Sequence, residues 1–194
     1  MPGTTSFMPI LTGIFIVIAI LVFITIFFVV TYNGLVTMRN RVRNQKSQID
    51  VELKRRFDLI PNLVEVVKGY AEHEKSALED VIKARNTYVS AGNNTAEALG
   101  ADSALSGALS KLFALSESYP ELKANSSFVS LHNDLASIEQ KIVYSRQFYN
   151  DSVFLLNNKI EKFPSNIIAS MFNFEPGVFF EAADSEREVV KVSF

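Results

Sequence analysis

Few residues in this 194-residue chain have the types and spacing that chemistry needs, and their arrangement points away from catalysis. His73 and His132 stand far apart, and neither has a second His four residues on, so the two-imidazole zinc helix is absent. There is no cysteine, which removes disulfides, thiolate metal sites and a thiol nucleophile. No Gly-rich phosphate loop and no nucleophile–base pattern occurs. The expectation is a protein that is not an enzyme and holds no metal or cofactor. The polar residues that invite a role sit inside helical patterns: Asn40 early in the chain, Glu139, Arg146 and Asn150 later. Glu139 and Arg146 are seven residues apart and so share a helix face. Polar or ionic side chains turned into a helical interface set its register at some cost in stability, as a polar core does. The alternative is that water solvates them.

Other charged residues are grouped rather than paired. The formal net charge of −2 conceals a block from Arg39 to Arg56 that carries +5, leaving −7 for everything after it. Arg39, Arg41, Arg43 and Lys46 lead that block and are the expected contacts with a membrane surface. Such a cluster beside an apolar segment stays on the cytoplasmic side during insertion and attracts anionic lipid heads. Nucleic acid is not an expected partner, because the chain as a whole is acidic.

The element that positions this cluster is an apolar run of 21 residues, Ile10 to Val30, with no charge and only Thr12, Gly13 and Thr25 to soften it. As helix it measures about 32 Å, enough for a hydrocarbon core of about 30 Å. It is too long for a signal-peptide core. It also lacks a basic leader and a small-residue cleavage pattern, so an uncleaved anchor is expected. The expected division is a head over 1–9, a transmembrane helix over 10–30, a helical bundle over 31–163 and a C-terminal helix and tail over 164–194. Only uncharged residues precede the run, so its N-terminus is expected outside and the bundle in the cytoplasm.

Beyond the run, apolar residues recur at helical spacing. Leu35, Val42, Ile49, Leu53 and Phe57 predict a first helix that bends or stops before Pro61, with Asp58 as a cap. Leu63, Val67, Tyr70, Ala77, Val81 and Tyr88 predict a second over 63–89. Leu105, Leu109, Leu112 and Leu115 predict a third within 96–118. A fourth over 126–163 carries a heptad seam from Phe128 to Phe163, interrupted where Ser145 and Arg146 stand. Four helices, one long seam and short connectors predict an all-α protein: a transmembrane helix continuing into an antiparallel bundle of about four long helices.

The tail is rich in aromatic residues. A short helix capped by Ser165 or Asn166 is expected, then a turn at 174–177, then strand-like alternation over 190–194. Phe172, Phe174, Phe179, Phe180 and Phe194 are more than a small domain usually leaves exposed. They are expected either to cover the bundle end or to contact another subunit or partner.

Particular stretches resemble the LemA family of bacterial single-pass membrane proteins. They include Tyr32-Asn33-Gly34-Leu35-Val36, Arg39-Asn40-Arg41-Val42, Ser47-Gln48-Ile49-Asp50-Val51 and the long Leu53 to Glu65 segment with Arg55-Arg56-Phe57-Asp58-Leu59-Ile60-Pro61. Val67-Lys68-Gly69-Tyr70-Ala71, Tyr119 to Ala124, Tyr149-Asn150, Ile160 to Ala169 and Phe179-Phe180-Glu181 continue the match in order. The chain departs from the pattern at Phe57, where the family often has His. The resemblance implies a helical bundle anchored in a bacterial inner membrane, with the bilayer as partner and no settled reaction. The expected function is a scaffold that self-associates as a homo-oligomer and organises membrane or partner proteins. The competing expectation is an accessory or signalling module that binds a membrane protease or sensor, another membrane protein, without self-assembly.

Overall fold

A computed structural model describes residues 7–71, 74–91 and 95–180. His73, Phe194 and the alternating segment 190–194 lie outside the described residues. What is described is all-α, in the order α1 (Phe7–Lys68), α2 (Lys75–Ala91), α3 (Thr95–Ser116), α4 (Pro120–Ala124), α5 (Ser126–Glu161) and α6 (Ser165–Met171). The described residues contain one helix long and apolar enough to cross a membrane, α1, whose most apolar stretch has a mean hydropathy of 3.3. Along Ile10–Val30 the side chains are exposed, save Phe28, which is partly covered. The hydroxyl of Thr25 donates to the Leu21 carbonyl at 2.8 Å, so this polar group needs no water.

The described residues divide into two compact units: one of residues 7–45 with 148–179, the other of the described residues within 46–147 with residue 180. The second unit is a bundle in which α1, α2, α3 and α5 contribute the core, and the partners show how they run. Phe57 of α1 stacks on Tyr88 of α2, and Arg85 reaches the Phe57 carbonyl. Asp102 of α3 meets Arg146 of α5, and further along α3 Phe113 meets Phe128, nearer the start of α5. As one number rises the other falls, so α3 and α5 are antiparallel. Ile49, Leu53, Ile60, Leu63, Val81, Leu105, Leu112, Leu135, Ile138 and Ile142 form the buried face. Asn125 caps α5, its side-chain oxygen accepting the Phe128 N–H at 3.0 Å. The Asn125 amide also donates to Tyr70 and the Tyr119 hydroxyl to Glu74, tying the turn after α1 to the two ends of α4.

The first unit is built by α1 up to Gln45, α5 from Phe148, and α6. Its core is Leu35, Ile168, Ala169 and Phe174, with Phe28, Tyr32, Val36 and Ile160 packed against it. No side chain caps α6, contrary to the expected Ser165 or Asn166; the Ser165 hydroxyl donates backward to the Lys162 carbonyl. The far end of α6 is closed by Asn173 at φ 51°, with the Phe174 N–H on the Ala169 carbonyl and the Asn173 N–H directed to Ser170. This is the left-handed closure that Asn tolerates, and it turns Phe174 back into the core.

Pro61 does not end α1, which continues to Lys68. A proline nitrogen has no hydrogen to give the carbonyl four residues back, here that of Phe57. Arg85 of α2 supplies the missing donor: its Nε lies 3.2 Å from the Phe57 oxygen. The break comes instead after Lys68, beside Gly69, whose helix propensity is poor. Asp58, expected as a cap, is mid-helix and pairs with Lys54 at 3.1 Å. Arg85→Met should therefore leave a carbonyl on a buried residue unsatisfied and lower the unfolding free energy by about 1–3 kcal/mol. In a Pro61→Ala background the new N–H takes that carbonyl, and the same substitution should cost less. Denaturant titration of the four-variant cycle measures the difference.

Candidate functional site

The most polar feature of the bundle core is a chain of four charges. Arg56 of α1 is fully buried and Asp102 of α3 is 4% exposed. The Arg56 guanidinium donates to Asp102, to Glu139 of α5 and, at 3.3 Å, to the Ser106 hydroxyl. The second carboxylate oxygen of Asp102 accepts from Arg146 of α5. Two cations and two anions thus neutralise one another across three helices. Arg56 and Asp102 are buried, whereas Glu139 and Arg146 reach the surface, and the Phe57 ring lies under the Arg56 guanidinium at 5.9 Å. Glu139 and Arg146 share this cluster but are joined through Asp102 and Arg56 rather than to each other. Arg146 also lies over the Phe180 ring, at 5.9 Å.

Arg56 and Asp102 did not stand out in the sequence as polar-core residues, although each occupies a seam position. Ile49, Leu53, Arg56, Ile60, Leu63 and Val67 follow spacings of four and three, as do Asp102, Leu105, Leu109 and Leu112. A charge at such a position, matched by the gap at Arg146 in α5, was the available signal. In the sequence the basic neighbours Lys54 and Arg55 mask that signal at Arg56. Asn40 is exposed on α1, and Asn150 is half-buried on α5.

Arg41, Arg43 and Lys46 are exposed, as a surface contact requires, whereas Arg39 is half-buried. Its guanidinium lies 5.0 Å from the centre of the Phe174 ring. The aromatic tail splits by role. Phe174 belongs to the core, and Phe172 stays partly exposed while touching Tyr32 and Phe28, with ring centres 4.7 and 5.7 Å apart. After Phe174 the chain runs back along α5. Gly177 exchanges two hydrogen bonds with the Asn157 amide, and the Val178 carbonyl accepts from the Tyr149 hydroxyl at 3.0 Å. A Cβ at Gly177 would lie 3.2 Å from a Val153 methyl, so the close approach favours glycine. Phe179 remains exposed and Phe180 half-buried.

His132 is exposed on α5, its ring 4.3 Å from that of Phe113. Among the described residues no group of three or more His, Asp or Glu converges as a metal ligand set.

Removing one member of the charge chain strands the others. Asp102→Ala should leave Arg56 and Arg146 without their shared carboxylate and destabilise the bundle by about 3–5 kcal/mol, read by denaturant unfolding. Alkali should act through tyrosines whose pKa the fold raises, Tyr88 and Tyr149 among them. Burial raises the pKa of Tyr88, helped by the negative charge of Asp102 and Asp50 and opposed by Arg146 and Arg56. Burial likewise raises that of Tyr149. Below the unfolded value of about 10 both states hold the proton and stability is undiminished. As pH rises past it the unfolded chain ionises first, so stability falls. Tyr88→Phe should flatten that alkaline decline in a series of unfolding curves.

Comparison with known proteins accords with this architecture. The LemA family profile matches residues 45–194, beginning beyond the apolar run. Magnetosome protein MamQ 2 of Paramagnetospirillum magneticum is 26% identical over 175 residues, covering 77% of this chain and 64% of that protein. The chain thus spans slightly less than two thirds of that relative's length. Magnetosome protein MamQ of Magnetospirillum gryphiswaldense is 25% identical over 189 residues, covering 84% of this chain and 69% of its own. Protein LemA of Metamycoplasma hominis is 26% identical over 194 residues, covering 95% of this chain and 87% of its own. With the profile covering well over half of its length, the chain belongs to the LemA family.

Proposed function

We propose that this protein is a non-enzymatic, membrane-anchored helical scaffold that self-associates and organises membrane or partner proteins. The observation that carries the reading is apolar surface on α5 that stays exposed among the described residues. In the first unit Phe148 and Phe154 are more than half exposed and Leu155 is 43% exposed. In the second, Val143 and Tyr144 are more than half exposed. Large uncovered apolar side chains on a long, stiff helix are typical of contact surfaces. Phe179 is the tail residue best placed to add to such a contact, since Phe174 is committed to the core.

The anchor is the apolar run of α1, which continues as unbroken helix into the bundle. Arg41, Arg43 and Lys46 follow it closely and hold the bundle on the cytoplasmic side, against anionic lipid heads. The Arg56–Asp102–Arg146 chain, with Glu139, sets the register of three helices within the bundle. The reading therefore needs no bound ligand and no reaction.

Light scattering of the full-length protein in mild detergent tests it. A uniform assembly larger than one chain is expected. The double substitution Phe148→Ser with Phe154→Ser should shift it toward single chains without loss of helical signal. A wild-type protein that is monomeric across the accessible concentrations would overturn self-association.

A further inference from the structure

The short helix α6 has two different apolar faces, and among the described residues only one of them is buried. Ile168 and Ala169 are buried against Leu35 and Phe174. Ile167 and Met171, four residues apart and on another face, are 54% and 62% exposed, and Phe163 just before the helix is 79% exposed. From Pro164 to Phe174 the sequence contains no charged side chain. Seven residues presenting this much uncovered apolar surface would be a liability in water.

The neighbours of α6 say what covers that surface. Phe172, directly after the helix, packs edge-on against Phe28 and lies 4.7 Å from Tyr32, centre to centre. Phe28 lies in the last turn of the apolar run and Tyr32 in the turn after it, where a spanning helix leaves the hydrocarbon and aromatic side chains collect. A Cβ at Gly34 would meet the Lys159 ammonium, so the end of α5 lies against the same stretch of α1. Lys162 is exposed one residue before Phe163. The uncharged exposed residues therefore sit level with the end of the span, with lysines at their flank, the distribution of an interfacial segment.

We propose that α6 and its flanks form a second, non-spanning membrane contact, in which Phe163, Ile167 and Met171 enter the headgroup–acyl boundary beside the point where α1 leaves the bilayer. The occupant of this face is lipid. The inference rests on α1 crossing the membrane and is independent of self-association. Two points of attachment restrict rotation of α1 about its own axis and set how the first unit meets the membrane surface.

The chain has no tryptophan, so a single introduced indole reports one position. Four variants of the full chain, Ile167→Trp, Met171→Trp, Val22→Trp and Asn44→Trp, are reconstituted in phosphatidylcholine–phosphatidylglycerol vesicles with and without brominated acyl chains. Val22 lies within the span. Asn44 is exposed on the same helix, about 21 Å beyond Val30 along its axis. The expected result is blue-shifted emission and loss of intensity to bromolipid at 167 and 171, as at 22, and water-like, unquenched emission at 44. Water-like emission at 167 and 171 with quenching at 22 would overturn the second contact and leave the anchor standing. Blue-shifted but unquenched emission there would overturn it in favour of cover by protein. Lack of quenching at 22 would overturn the anchor and this inference with it.

Discussion

A buried guanidinium must find anions, and in this bundle that requirement governs how three helices meet. Arg56 has essentially no exposure to water, and an isolated charge so placed would cost several kcal/mol. Asp102 and Glu139 come from two other helices, so Arg56 is satisfied only when α1, α3 and α5 are at one relative height. Arg146 then completes the second oxygen of Asp102. Apolar seams alone tolerate a slip by a heptad, since one Leu or Ile resembles the next. Three seams that each carry a charge at one position do not.

The same economy of polar groups recurs in the backbone. A proline in the middle of α1 would strand the Phe57 carbonyl, and Arg85 from the next helix takes it up. The helix is continuous through Pro61 because a neighbouring side chain supplies the lost donor. In the first unit, Asn173 adopts a left-handed conformation that closes α6 and turns Phe174 into the core. Gly177, bonded twice to Asn157, lets the following chain lie close on α5. Each irregularity is matched by a specific partner, which leaves the apolar faces as the surfaces free to act.

Those faces are where function is to be sought. The described residues hold no converging ligand set, and the polar core is internally neutralised. What a solvent-facing surface offers is Phe148, Phe154 and Leu155 on α5, and Phe163, Ile167 and Met171 at α6. The first set suits another protein surface. The second lies beside the aromatic residues at the end of the apolar run and suits lipid. An apolar run, a basic flank and two sets of exposed apolar side chains are the surface features on which the proposals above rest.

The class of structure follows from local patterns in the amino-acid sequence. An uncharged run of 21 residues has one stable conformation in lipid, and a sustained heptad seam such as that of α5 has one kind of partner. Both signals are local and periodic, so they survive without knowledge of the fold. The resemblance carried by Leu53 to Glu65 and Tyr119 to Ala124 added the family on the same local basis. That Arg56 is core and Arg41 is surface emerges from packing alone, since both read as members of one basic block. Packing also decided that Pro61 lies inside a helix, and that Phe174 is buried while Phe172 lies beside Phe28. Each of these outcomes depends on a partner supplied from a distant part of the chain: Asp102, Arg85, Leu35 or Phe28. Spacing along one helix says which face a residue occupies, and only packing says what meets it there.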